Sequence, residues 1–134
     1  MPSLTELSIS NNNLGDDGKR ALGAALPSTM RSFTCDELKL RADATSLDLR
    51  DKRLGPGDAA LLAGALQSFM TAMTSIKLDG YALPVKQLKG TEPVETLDLS
   101  KKGLGPVSGI VIAKLITINT ALNKLDLRNN SLKN

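Results

Sequence analysis

One apolar spacing is written five times along the chain, and it limits the fold more than any other feature. Apolar residues stand at relative positions one, four, six and eleven of each copy. They are Leu4, Leu7, Ile9 and Leu14; Ala44, Leu47, Leu49 and Leu54; Met73, Ile76, Leu78 and Leu83; Val94, Leu97, Leu99 and Leu104; and Leu122, Leu125, Leu127 and Leu132. A weaker sixth copy fits Met30, Phe33, Cys35 and Leu40. Two phrases recur almost verbatim: Ser46-Leu47-Asp48-Leu49 followed by Leu54-Gly55-Pro56, and Thr96-Leu97-Asp98-Leu99 followed by Leu104-Gly105-Pro106. Self-similarity of this kind marks units that cannot bury their apolar face alone and stack to do so.

Within a unit the periodicity changes. The alternation Leu47-Asp48-Leu49-Arg50 predicts a short strand with one buried and one wet face. Leu54-Gly55-Pro56-Gly57 then turns the chain, and Asp58 is an N-cap candidate for a helix over 59–70 carrying Leu62, Leu66 and Phe69. In the first unit Asp16 or Asp17 opens a helix with Leu22 and Leu26, and Pro27 stops it. Pro106 precedes a third helix over 107–119 with Ile112, Leu115 and Ile116 on one face. The steps between units are uneven: Leu47 to Ile76 is 29 residues and Leu97 to Leu125 is 28, but Phe33 to Leu47 is 14 and Ile76 to Leu97 is 21. The two short units lack room for a full helix. The 14-residue step holds either a bare repeat or an inserted hairpin, and Pro84, Gly90 and Pro93 make 83–94 a loop with one helical turn around 85–88.

The pattern resembles the leucine-rich repeat family, L-x-x-L-x-L-x-x-N/C-x-L, over about residues 4 to 132, and the 28- and 29-residue units are most similar to its ribonuclease-inhibitor-like subclass. The resemblance implies a single α/β domain over residues 1–134: a short curved solenoid of five to six repeats, two of them short and helix-free. A parallel sheet would line its concave face, with helices and loops on the convex face. The family's position-nine Asn is present as Asn12 and Asn130, but Leu38, Lys52, Tyr81 and Lys102 stand there in between.

Composition narrows the chemistry. There is no His and one Cys, which excludes imidazole acid/base catalysis, His-activated nucleophiles and an intramolecular disulfide. Cys35 takes an inward leucine position, the setting of an inert thiol. Aromatics are limited to Phe33, Phe69 and Tyr81, so the core is aliphatic. No apolar run is long enough to span a membrane and no signal peptide precedes the first unit, which points to a cytoplasmic protein. Gly55-Pro56-Gly57 lacks the Lys-Ser/Thr of a phosphate loop, and Asn129-Asn130-Ser131, a sequon in form, is the repeat's own loop.

Two surfaces remain as candidates for function. Strand residues facing away from the leucines are Glu6, Ser32, Ser46, Ser75, Thr96 and Lys124; Ser8, Thr34, Asp48, Lys77, Asp98 and Asp126; and Ser10, Asp36, Arg50, Asp79, Ser100 and Arg128. Six of these 18 are acidic and four basic, a poor seat for phosphate backbones, so nucleic acid is not expected. The expected partner-binding set is Asp36, Asp48, Arg50, Lys77, Asp79, Asp98, Asp126 and Arg128; the alternative is a solvated sheet with charges balanced across strands, Asp48 beside Lys77. The second surface is a basic loop edge of Lys52, Arg53, Lys101 and Lys102, with Lys86 and Lys89 on the intervening loop.

The expectation is a non-catalytic protein-interaction module that needs no cofactor or metal. Its partner would be an unidentified protein, with no nucleic acid and no membrane involved. The competing expectation is a structural or self-associating segment. The first strand begins almost at once and the chain stops two residues past Leu132 with no capping helix, so a longer array, a second subunit or a partner would cover the ends. Ala21, Ala25, Gly64 and Ala65 are expected to form a smooth exposed helical surface.

Overall fold

A computed structural model of the chain describes residues 4–10, 12–35, 38–50 and 52–132. In order they form β1 (Glu6–Ser8), α1 (Gly15–Ala25), β2 (Ser32–Cys35), β3 (Leu38–Arg41), β4 (Ser46–Asp48), α2 (Pro56–Ser68), β5 (Ser75–Lys77), β6 (Ala82–Pro84), α3 (Val85–Lys89), β7 (Thr96–Asp98), α4 (Pro106–Leu115) with a 3₁₀ turn at Ile116–Ile118, and β8 (Lys124–Asp126).

The expected solenoid with one continuous parallel sheet is overturned. The strands form three small sheets, β1-β2-β3, β4-β5-β6 and β7-β8, and two of the three contain an antiparallel strand. The physical reason lies in the short units. Parallel neighbours need a crossover of about a dozen residues or more, whereas antiparallel ones need only a tight turn. Where a unit has a helix, its flanking strands pair in parallel: Leu7 beside Phe33, Leu47 beside Ile76, Leu97 beside Leu125. Where it has no full-length helix (none at all, or the five-residue α3), the chain returns inside the sheet. Phe33 then lies opposite Leu40 in β2/β3, and Ile76 opposite Leu83 in β5/β6. Each returning strand interrupts the parallel ladder, so the 14-residue step is a hairpin and part of the expected 83–94 loop is β6 and α3.

Helix boundaries also differ from the sequence expectation. Helix α2 begins at Pro56 with Gly55 as its cap residue, and Asp58 sits one turn in. From there the Asp58 carboxylate accepts the Gly55 N–H at 2.9 Å, satisfying a donor that the helix leaves orphaned. Helix α1 begins at Gly15 with no side-chain cap, so Asp16 and Asp17 lie inside its first turn.

The core is aliphatic and centred on α2, which packs between α1 and α4. Ala59, Leu61, Leu62, Ala63, Ala65 and Leu66 are fully buried, together with Phe33, Leu38, Ile76, Leu83, Leu99 and Leu115. This corrects the smooth exposed surface: Ala21 and Ala25 are exposed, but Ala65 is buried and Gly64 lies against α1. A Cβ added at Gly23 would stand 2.7 Å from the Ala60 carbonyl oxygen, and one at Gly64 would collide with the Gly23 carbonyl, so the two helix backbones touch. Their N-termini are laced as well, by Asp16 Oδ1 accepting the Gly57 N–H at 3.0 Å and by Lys19 with Asp58 at 2.8 Å. Cys35 is buried, as its inward position implied.

Candidate functional site

The candidate residues sit where strands end and loops begin. Each strand of the type x-Leu-Asp-Leu ends with the Asp carboxylate curling over the backbone two residues on. Asp48 Oδ1 accepts the Arg50 N–H at 3.1 Å, Asp98 Oδ1 the Ser100 N–H at 2.9 Å, and Asp126 Oδ1 the Arg128 N–H at 3.0 Å. These are Asx turns, the means by which a short acidic side chain replaces a ladder partner at a strand exit. The following side chain then closes on the same carboxylate. Arg50 meets Asp48 through Nε at 2.9 Å and Nη2 at 2.7 Å, Arg128 meets Asp126 through Nε at 3.0 Å and Nη2 at 2.9 Å, and the Ser100 hydroxyl donates to Asp98 at 2.6 Å.

The electrostatics follow. The Arg50 hydrogen bonds pull the Asp48 carboxyl down to about 2, with Lys77 across the strand a smaller contribution. Ser100 lowers the Asp98 pKa despite the like charge of Asp126 beside it, and Arg128 lowers that of Asp126 while its own guanidinium pKa is raised in return. Register places Asp48 beside Lys77, but the bidentate partner of Asp48 is Arg50 on its own strand exit. Asp98 and Asp126 are direct neighbours of like charge.

Asp79 has a different task. Its Oδ2 accepts the Gly105 N–H at 2.7 Å and the buried Ser108 hydroxyl at 2.5 Å, so it caps the N-terminus of α4 from the loop after β5. Asp36 lies outside the described residues.

The basic loops adjoin this cap. Lys52 and Arg53 border a depression of about 180 Å³ together with Leu49, Leu54, Leu78, Asp79 and Val107. Lys102 lies over the Tyr81 ring, 5.1 Å from its centre, a cation–π contact that binds the loop after β7 to the loop after β5. Lys52, Arg53 and Lys101 are exposed, and none of them enters an ion pair with a described residue. Lys86 is half-buried. Lys89 is not at this edge: it is buried, donates from Nζ to the Leu66 carbonyl at 2.7 Å at the end of α2, and its ammonium is lowered by desolvation and then by Lys86.

Two carboxamides staple the loops, and sequence reasoning missed the second of them. Asn130 accepts the Lys102 and Leu104 N–H groups, both at 3.0 Å, and donates to the Leu99 and Leu127 carbonyls, both at 2.9 Å. Asn119 does the same one layer away, accepting from Ala121 and Leu122 and donating to Gln87 and Leu88. The position-nine pattern pointed to Asn130, whereas nothing in the local sequence marked Asn119. Among the described residues no three acidic or cysteine side chains converge as metal ligands, and no helix is long and apolar enough to cross a membrane.

Comparison with family models, with curated proteins and with solved structures found no match to this chain, so none of them assigns it to the repeat family that its spacing resembles.

Proposed function

We propose that the chain is a non-catalytic protein-binding module that takes an acidic segment of its partner on the loops following β4 and β7. The observation that carries this reading is the charge left over after internal pairing. Asp48, Asp98 and Asp126 are engaged at their own strand exits and Asp79 is engaged at the start of α4. Lys52, Arg53 and Lys101 stand exposed beside them with no ion pair to a described residue. An incoming carboxylate therefore meets cations that it need not first detach from a described residue. Such a surface contributes encounter rate and selectivity more than affinity, and its effect fades with salt.

The probe is a fluorescently labelled peptide of alternating Glu and Ser, followed by anisotropy at low and high ionic strength. Saturable binding that weakens with salt is expected for the native chain. The combined variant Lys52→Glu, Arg53→Glu, Lys101→Glu is expected to abolish it, while Lys39→Glu, on the exposed face of β3, leaves it unchanged. Equal binding by the triple variant and the native chain sinks the reading.

A further inference from the structure

Two strand edges of this chain are complementary to each other, and one asparagine carries half of a hydrogen-bond set. In a parallel pair alternate residues point their N–H and C=O groups to opposite sides of the strand. On β8 the inward residues are Lys124, whose N–H donates to the Glu95 carbonyl, and Asp126, whose carbonyl accepts the Leu99 N–H. The backbone groups of Leu125 and Leu127 therefore face away from β7. On β1 the inward residues are Thr5, whose carbonyl accepts from Arg31 and Ser32, and Ile9, whose N–H donates to Thr34. Glu6 and Ser8 face outward. All three internal parallel pairs use this same phase: the earlier strand offers its leucine residues and the later strand the residues between them.

The outward groups of β8 match the outward groups of β1 in that phase. Continuing the β7/β8 register sets Lys124 beside Glu6, Leu125 beside Leu7 and Asp126 beside Ser8. The first is an attractive pair, and the last avoids the like-charge contact that Asp126 makes with Asp98.

Asn12 supplies an independent observation. Asn130 donates to its own loop at the Leu127 and Arg128 carbonyls, at 2.9 and 3.4 Å, and also holds the preceding loop through Lys102, Leu104 and Leu99. Asn12 makes the matching own-loop bonds, to the Ile9 and Ser10 carbonyls at 3.1 and 3.5 Å, but no described N–H reaches its Oδ1. The residues equivalent to Lys102 and Leu104 beside β8 are Asn130 and Leu132, and neither backbone N–H donates to a described residue. Leu4, at the start of the same edge, is 50% exposed.

We infer that β8 of one copy of this chain pairs in parallel with β1 of a second copy, with Lys124 against Glu6 and with Asn12 of the second copy accepting the Asn130 and Leu132 N–H groups of the first. The contact is head-to-tail, so association continues beyond a dimer unless it closes into a ring. It uses none of Lys52, Arg53 or Lys101 and stands apart from the acidic-segment reading.

Sedimentation equilibrium over a wide concentration range reads it. The native chain is expected to rise above 14.2 kDa with concentration. Lys124→Glu and Glu6→Lys, both at exposed positions, each set like charges opposite one another and are expected to weaken association by roughly three- to tenfold. The chain carrying both substitutions restores the pair in reverse and is expected to associate like the native one. A monomer at every concentration overturns the inference. So does association that the single reversals leave unchanged, or a double variant as weak as the singles.

Discussion

The carboxylate of Asp79 holds the hydroxyl of Ser108 at 2.5 Å across 29 residues of chain, and in doing so joins the β5/β6 hairpin to the first turn of α4. A residue whose position in the repeat suggests a binding face is thereby a helix cap. Ser108 is fully buried while Asp79 is exposed, so the bond gives a hydroxyl cut off from solvent its partner at the surface.

Asp79→Ala is expected to lower unfolding free energy by about 1–2 kcal/mol, the usual cost of removing a cap that also satisfies a buried hydroxyl. Ser108→Ala should then cost much less in the Asp79→Ala background than in the native chain, because the two share one interaction. Urea unfolding of the four chains measures both. Additive losses would mean that the pair does not act as a unit.

Arg53 adopts φ 55°, a left-handed conformation that costs an L-residue about 1 kcal/mol. The matching position of the other Leu-Gly-Pro phrase is Gly103, at φ 72°, where no such cost arises. Arg53→Gly is expected to raise stability by about 0.5 kcal/mol after the greater unfolded-state freedom of Gly is subtracted. It should also weaken binding of the acidic peptide. Thermal melts together with the anisotropy titration read the two opposite signs in one variant.

Asp48 ties the fold to acid. Its folded pKa, about 2, lies below the ordinary 3.8, so the contribution of the Asp48–Arg50 pair is fully present above about pH 4 and is lost as pH falls through the folded value. The pair is exposed, so the effect is small. Urea midpoints between about pH 2 and 5 should fall less steeply for Asp48→Asn than for the native chain, and identical slopes would refute the assignment.

Lys89 works in the opposite direction. Burial lowers its folded pKa below 10.5, so the unfolded chain binds the proton more tightly, and stability rises with pH through the interval between the two values. Lys89→Met is expected to remove that alkaline rise while leaving the Leu66 carbonyl without its donor. Stability curves of the two chains that stay parallel through that interval would contradict the burial effect.

The apolar spacing by itself marked β1, β2, β4, β5, β7 and β8 and the face each turns inward, though not the returning strands β3 and β6: Leu47, Leu97 and Leu125 pair in register with their counterparts because a period of two leaves a strand no other inward face. It also marked the three long helices, though not their first residues, because the cap of α2 comes from Gly55 backbone and an Asp58 reaching backward. Local sequence could not decide the path of the two short units. Phe33 to Leu40 and Ile76 to Leu83 carry the same spacing as any other unit, and only the length available for a return leg turns them into antiparallel hairpins that divide the sheet. Nor could it sort the aspartates. Asp48 and Asp79 both stand at outward-facing positions of the repeat, but one folds onto its own neighbour and the other reaches a helix end far along the chain. Periodicity is a property of neighbours in sequence, whereas a carboxylate's partner is whichever donor the packing brings within about 3 Å.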